Sequence, residues 1–238
     1  MQNLTVIVPF FNEEKFLAES VQRILAEEIF EKIILVDDAS TDGSFKIAQA
    51  FSNNHKEISL ITTSTNAGKG NAIQEALSLV NSSHLIVHDA DLEYFPDDIP
   101  EMYNLAKLNK NSLILGSRTI GNKKRTTLYK KTYYGQKIFA LVFSLLNKQK
   151  LTDIASCYWL IETKHLREMN IVEKGFSIEI EVLSKAIRKG LSIIEVPIKY
   201  EARSYADGKK IKLTDALKIL LKILSSSKFY YFITKKSY

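Results

Sequence analysis

The sequence predicts an α/β fold: a mostly parallel sheet flanked by helices, with an amphipathic helical segment at the C-terminal end. Three features predict it. Short, β-branched apolar runs recur through the first half of the chain, helix-periodic intervals separate them, and a polar cluster follows each run at once. Near-continuous apolar runs suit strands buried on both faces, and alternation with helices supplies the crossovers that parallel strands require.

The elements follow in order. Residues 4–8 form the first strand, and 13–27 the first helix, with Phe16, Leu17, Val21, Ile24 and Leu25 at 3-4 spacing. Strands at 32–36, 58–62, 85–87 and 113–115 alternate with helices at 43–51, 71–79 and 97–108. Pro96 opens the last of these helices, with Asp97 and Asp98 as turn and N-cap chemistry. After Gly116 the alternation fades. Residues 128–147 read as a helix rich in aromatic and aliphatic side chains, 157–161 as a strand, 177–189 as a helix ended by Gly190, and 193–200 as a further strand. Residues 213–224 form an amphipathic helix on which Lys218 and Lys222 share a face. Residues 1–211 are expected to make one domain, and 212–238 a basic amphipathic helix or tail.

The composition is that of a globular protein: 238 residues, 45% hydrophobic and 25% charged, with nine Gly and four Pro. The single cysteine, Cys157, allows no internal disulfide and no Cys-based zinc site, so a reducing compartment is the default and a buried structural thiol the simplest role. No stretch near Met1 reads as a signal peptide, and no apolar run approaches the roughly 20 residues of a membrane span. The expectation is a cytoplasmic protein, soluble or peripheral on the cytoplasmic membrane face.

Charge is unevenly placed. Residues 113–150 carry nine Lys or Arg and no acid, and 201–238 carry a further net +6, leaving −9 on the rest of a chain whose total is +6. Such asymmetry suits an anionic partner, whether nucleic acid, phospholipid or a phosphorylated substrate. A nucleic-acid partner would need stacking platforms or a reader motif, and neither is visible.

In a parallel sheet, ligands bind beyond the carboxyl ends of the strands. Five polar clusters sit there: Pro9-Phe-Phe-Asn-Glu13, Asp37-Asp-Ala-Ser-Thr-Asp-Gly43, Asn66-Ala-Gly-Lys-Gly70, His88 to Glu93, and Gly116-Ser-Arg118. Asp89 and Asp91, two residues apart, can converge on one cation; oxygen-only ligands suit Mg²⁺ or Mn²⁺, whose remaining positions go to phosphates and water. Turn chemistry is the competing explanation for an Asp-x-Asp standing alone, and context decides. His88 reads as a neutral residue at the strand end. Asp37-Asp38 closes the second strand, where a carboxylate can meet a ribose or base. A Walker loop and a Gly-x-Gly-x-x-Gly after the first strand are both missing, which disfavours a conventional mononucleotide or dinucleotide fold.

Taken together, Val6-Ile-Val-Pro-Phe-Phe-Asn-Glu-Glu14, Val36-Asp-Asp-Ala-Ser-Thr-Asp-Gly43, Asn66-Ala-Gly-Lys-Gly70, Asp89-Ala-Asp-Leu-Glu93, Gly116-Ser-Arg118 and Val196-Pro-Ile-Lys-Tyr-Glu-Ala-Arg203 with Asp207-Gly-Lys-Lys-Ile211 resemble the family 2 glycosyltransferases of Rossmann-like GT-A fold. Within them the chain is similar to the dolichyl- and polyprenyl-phosphate mannose and glucose synthases. The resemblance runs in unbroken order from residue 4 to about 211. It implies that Pro9, Phe11, Glu13, Val36 and Asp38 hold the nucleoside. It further implies that Asp89, Ala90 and Asp91 bind the diphosphate through Mg²⁺ or Mn²⁺, with Glu93 as a further ligand. Arg118, Arg203 and Lys209 would bind phosphates of donor or acceptor, and with Asp91 they form the implied catalytic set. The sequence departs from the family at Glu93, where many members carry Gln, and at Lys130-Lys131, where relatives often place Arg.

The resemblance implies hexose transfer from GDP-mannose or UDP-glucose to a polyprenyl phosphate. Charge growing on the leaving diphosphate must be neutralised, and a hydroxyl acceptor would also need a general base, whereas a lipid phosphate is already anionic. The nearest base candidates are Glu179 and Glu181, and the motifs of processive hydroxyl-glycosylating relatives do not occur. Direct displacement with inversion is therefore expected. A saccharide or other hydroxyl acceptor, and a non-catalytic nucleotide-sugar-binding subunit, are the competing readings. Residues 113–150, 213–224 and 229–233 would meet a membrane surface with apolar side chains toward lipid and lysines toward headgroups. Anchoring by a separate membrane subunit stays open.

Overall fold

The computed structural model describes residues 3–126, 130–203 and 213–235. The chain runs β1 (Leu4–Phe10), α1 (Leu17–Leu25), β2 (Lys32–Asp37), α2 (Ser44–Asn54), β3 (Ile58–Thr62), α3 (Lys69–Leu77), β4 (His84–Val87), a 3₁₀ turn (Pro96–Asp98), α4 (Ile99–Leu108) and β5 (Ser112–Ser117). It continues through β6 (Arg125–Thr126), α5 (Lys130–Asn147), β7 (Trp159–Glu162), α6 (Thr163–Glu168), α7 (Ile178–Arg188), β8 (Ser192–Pro197), β9 (Tyr200–Glu201), α8 (Leu213–Ser226) and α9 (Lys228–Lys235).

Seven strands form one sheet in the order β3-β2-β1-β4-β7-β5-β8, parallel except for β7, which runs antiparallel to both neighbours. Because β1 pairs with β2 on one side and β4 on the other, the strand order reverses there. A crevice opens at such a reversal, outside the carboxyl ends of the strands. Alternate side chains feed two cores, as a strand period of two requires. Ile7, Ile34, Leu85 and Leu113 pack with α3 and α7 on one face. Leu4, Val6, Val8, Leu35 and Ile86 pack with α1 and α4 on the other. Cys157 is buried as expected, and burial pushes its thiol well up.

The differences from expectation have local causes. Helix α1 starts at Leu17 rather than 13, because Glu13 and Glu14 donate their N–H groups to Ser44 Oγ (2.8 Å) and Asp42 Oδ2 (3.2 Å) and so remain in a turn. The strand expected at 193–200 is two. Past Pro197 the chain leaves the sheet as Lys199 N–H donates to Asp98 Oδ2 (2.6 Å), and Tyr200–Glu201 pairs instead with β6. Asp97 and Asp98 thus do not cap the helix: they receive the Lys199 and Lys123 ammoniums. Helix α6 and the two-residue strand β6 have no counterpart among the expected elements.

Candidate active site

The site forms where the β1 and β4 ends meet. Its loops lock to one another before any ligand is considered. Asn12, in the left-handed region at φ 54°, accepts Thr41 N–H on Oδ1 (2.8 Å), joining the loop after β1 to the loop after β2. Asp38 is buried; it accepts Gly68 N–H on Oδ2 (2.7 Å), and Thr63 Oγ1 and Ala67 N–H on Oδ1 (2.9 and 3.1 Å). The carboxylate expected to meet the nucleoside therefore shapes the loop ahead of α3. Gly68 is required there: its φ is +99°, and a Cβ would lie 2.6 Å from the Lys174 carbonyl oxygen. Pro9 and Val36 pair in register as buried neighbours, Ala90 is buried, and Phe11 is half-buried.

After β4 the acidic stretch turns sharply. Leu92 adopts φ 62°, and Asp91 Oδ1 accepts Glu93 N–H (3.0 Å), so the turn is closed by a carboxylate oxygen. Asp91 Oδ2 lies 3.2 Å from Arg203 Nη2, and Arg203 Nη1 donates to Glu13 Oε2 (2.9 Å). Arg203 thus bridges β1 and β4 across the crevice, with its guanidinium 5.2 Å above the Phe16 ring. Glu93 supports that bridge, accepting Arg203 N–H on Oε1 (2.8 Å) and the Tyr200 hydroxyl on Oε2 (2.6 Å). Both oxygens are engaged within the protein, which corrects the expectation of Glu93 as a metal ligand.

Asp89 has a different partner. Lys69 Nζ lies 2.7 Å from Asp89 Oδ1 and 2.7 Å from Glu179 Oε1. Burial alone would lower the Lys69 ammonium, but Asp89 and Glu179 more than offset this and keep it charged. His88 is buried between Tyr158 hydroxyl (2.7 Å) and Ser20 Oγ (3.2 Å), and burial pushes it down to about 4, so it is neutral as expected.

Arg118 is placed differently from the phosphate contact expected. Its Nε and Nη2 donate to Asp153 Oδ2 and Oδ1 (2.7 and 2.8 Å), and the guanidinium sits 4.9 Å from the Tyr200 ring. The pair is buried, so Arg118 stands behind the site and reaches it through Tyr200, Glu93 and Arg203. Lys209 lies outside the described residues, as do the side chains of Lys130 and Lys131.

The donor set suits a hard cation, though not as a complete cage. Among the described residues no three His, Cys, Asp or Glu side chains gather to hold a metal. Asp89 and Asp91 supply two carboxylates, and a divalent ion bound by one or two carboxylates completes its shell with substrate phosphates and water. Burial, then Asp89 and Glu93, push the Asp91 carboxyl up to about 7. A site that accumulates this much negative charge is one a divalent cation stabilises. Lys69 and Asp153 were not assigned roles from sequence. The glycines flanking Lys69 marked a close backbone approach, while Asp153 carried no signal of its own.

Comparison with known proteins places the chain in a class such a crevice serves: it is a glycosyltransferase of GT-A type. Residues 5–169 match the family described as Glycosyl transferase family 2, and the chain belongs to that family. It is 26% identical over 247 residues to a dolichyl-phosphate beta-glucosyltransferase of Trichomonas vaginalis, covering 95% of this chain and 73% of the relative. It is 25% identical over 210 residues to a dolichol-phosphate mannosyltransferase of Pyrococcus furiosus, covering 87% of this chain and 58% of that relative. The fold is shared with a solved glucosyl-3-phosphoglycerate synthase from Mycobacterium tuberculosis in complex with Mn²⁺, UDP-glucose and phosphoglyceric acid. The TM-score is 0.73 at 16% identity, over 94% of this chain and 79% of that one.

Proposed function

We propose that this glycosyltransferase moves mannose or glucose from a nucleotide sugar, GDP-mannose or UDP-glucose, to a polyprenyl or dolichyl phosphate, with inversion and with Mg²⁺ or Mn²⁺. The observation that carries the reading is the meeting of Asp91, Glu13 and Arg203 at the β1/β4 crevice, with Asp89 beside them on Lys69. The names of the two relatives support the acceptor class, and the Mn²⁺ complex of the fold neighbour supports the metal.

Asp89 and Asp91 would hold the cation, which supplies neutralisation of the leaving diphosphate. Glu13, Pro9, Phe11, Val36, Asp38 and Ala90 line or shape the donor end. Arg203 sits where developing phosphate charge would fall, and Lys209, six residues on, would add a second cation to it. Arg118 holds the wall behind them. A phosphate nucleophile fits the charge pattern, because both base candidates are already in ion pairs: Glu179 with Lys69, and Glu181 with Lys185 (2.6 Å) and Lys222 (2.9 Å).

The lipid would arrive along α5, α8 and α9. Tyr134, Ile138, Leu141 and Leu145 on α5, Leu217 and Leu221 on α8, and Phe229 and Phe232 on α9 are exposed. An apolar face flanked by lysines suits a protein lying on the cytoplasmic membrane surface. No helix among the described residues is long and apolar enough to cross a membrane.

A screen of GDP-mannose and UDP-glucose with Mg²⁺ or Mn²⁺, with and without polyprenyl phosphate and read by mass spectrometry, tests the reading. Wild type is expected to form a lipid phosphate hexose from one donor, and Asp91→Ala to lose about 100-fold or more in rate. Equal turnover by the two proteins refutes the metal assignment.

A further inference from the structure

Lys69 is unusual among the site's charged groups. Its side chain is 7% exposed, and it joins a carboxylate of the interior, Glu179 at 6%, to one that faces the crevice, Asp89 at 26%. The ammonium lies within 2.9 Å of both Asp89 oxygens. It is also anchored from behind. Asn71 N–H donates to the Lys174 carbonyl (3.1 Å) and Gln74 Nε2 to the Glu173 carbonyl (3.0 Å), clamping the first turn of α3 on residues 173–175. Gly70 has no room for a Cβ against the Glu173 carbonyl, so the close approach depends on the glycine. Glu179 completes the clamp from the first turn of α7.

We infer that Lys69 is a positioning residue for glycosyl transfer: fixed by Glu179 and the α3 clamp, it sets the orientation in which Asp89, together with Asp91, meets a divalent cation and a nucleoside diphosphate. The inference rests on the reading of Asp89 and Asp91 as cation ligands. A partner needed only to balance Glu179 would have no reason to hold both oxygens of a half-open second carboxylate. Hydrogen-bonded partners that orient metal ligands typically matter nearly as much as the ligands themselves.

The test separates orientation from charge balance. Lys69→Met leaves Glu179 buried without its cation, whereas Lys69→Met with Glu179→Gln removes both charges and leaves only Asp89 without a partner. Mn²⁺ is titrated calorimetrically into each protein in the presence of UDP and of GDP, alongside thermal melts. Lys69→Met is expected to melt lower and to bind Mn²⁺ with nucleotide about 10–100-fold more weakly. The double variant is expected to recover melting temperature but not binding. Lys69→Arg, which keeps the charge on a different fork, is expected to melt like wild type and bind with intermediate affinity. Wild-type binding in the double variant overturns the role of Lys69 alone; if neither methionine variant folds, unchanged binding by Lys69→Arg does the same. A wild type that binds Mn²⁺ with neither nucleotide overturns the cation site itself, and this inference with it.

Discussion

Arg118 and Asp153 show why a cationic residue on the right loop need not touch substrate. Their bidentate pair is buried, and Asp153 also accepts the Arg118 backbone N–H (3.1 Å), so the guanidinium cannot leave without stranding a carboxylate. Removing one partner of a buried pair leaves the other charge uncompensated. Asp153→Ala is therefore expected to lower unfolding free energy by about 3–5 kcal/mol in urea titration. Loss near zero would mean that Arg118 finds solvent or another anion. Residues whose roles follow from local spacing, Asp89 and Asp91 above all, were legible in the sequence as a cation-binding pair. Pairings across the fold were not: Lys69 with Glu179 and Arg118 with Asp153 join segments far apart in sequence, and nothing in either segment names the other. Glu93 fell between the two cases, since its spacing suggested a ligand while Tyr200 and Arg203, more than 100 residues on, take its oxygens.

At the scale of elements, α8 depends on one carboxylate for much of its polar attachment. Lys222 on α8 lies 2.9 Å from both Glu173 and Glu181, and Ile223 beside it is fully buried. Burial alone would raise the Glu181 carboxyl, but hydrogen bonds from Lys185, Lys222 and Val172 N–H reverse this and hold it at about 2. A folded value below the ordinary 4.5 stabilises the fold above pH 4.5, and that contribution is lost as pH falls toward 2. Amide exchange in α8 should therefore accelerate over that interval in wild type, and Glu181→Gln should start faster and show a flatter pH dependence. Identical profiles would free α8 from Glu181. The buried parallel strands and the long helices could be read from apolar runs and 3-4 periodicity. β7 could not be read as antiparallel, because a short buried run carries no direction. β6 and β9, two residues each, are set by contacts with the 3₁₀ turn and its aspartates rather than by any pattern of their own.

Across the whole molecule, the basic segments and the apolar helices lie in the same part of the chain, and α5, α8 and α9 pack on one another with apolar side chains left outward. Arg188 stands 5.2 Å from the Tyr231 ring and Asn147 accepts Lys228 N–H (3.0 Å), tying α9 to α7 and α5. Wild type is expected to co-sediment with anionic vesicles at low salt. Replacing Leu141, Leu145, Leu217 and Leu221 by Ser should weaken that binding, by on the order of 1 kcal/mol for each leucine that inserts. Unchanged co-sedimentation would move the lipid contact elsewhere. The acceptor decides the rest, because a phosphate nucleophile needs no general base and a hydroxyl does. The most direct measurement supplies the preferred donor and metal with either polyprenyl phosphate or the matching polyprenol, and reads the products by mass spectrometry. Hexose on the lipid phosphate, with none on the free alcohol, is the expected result; transfer to polyprenol at a comparable rate contradicts it.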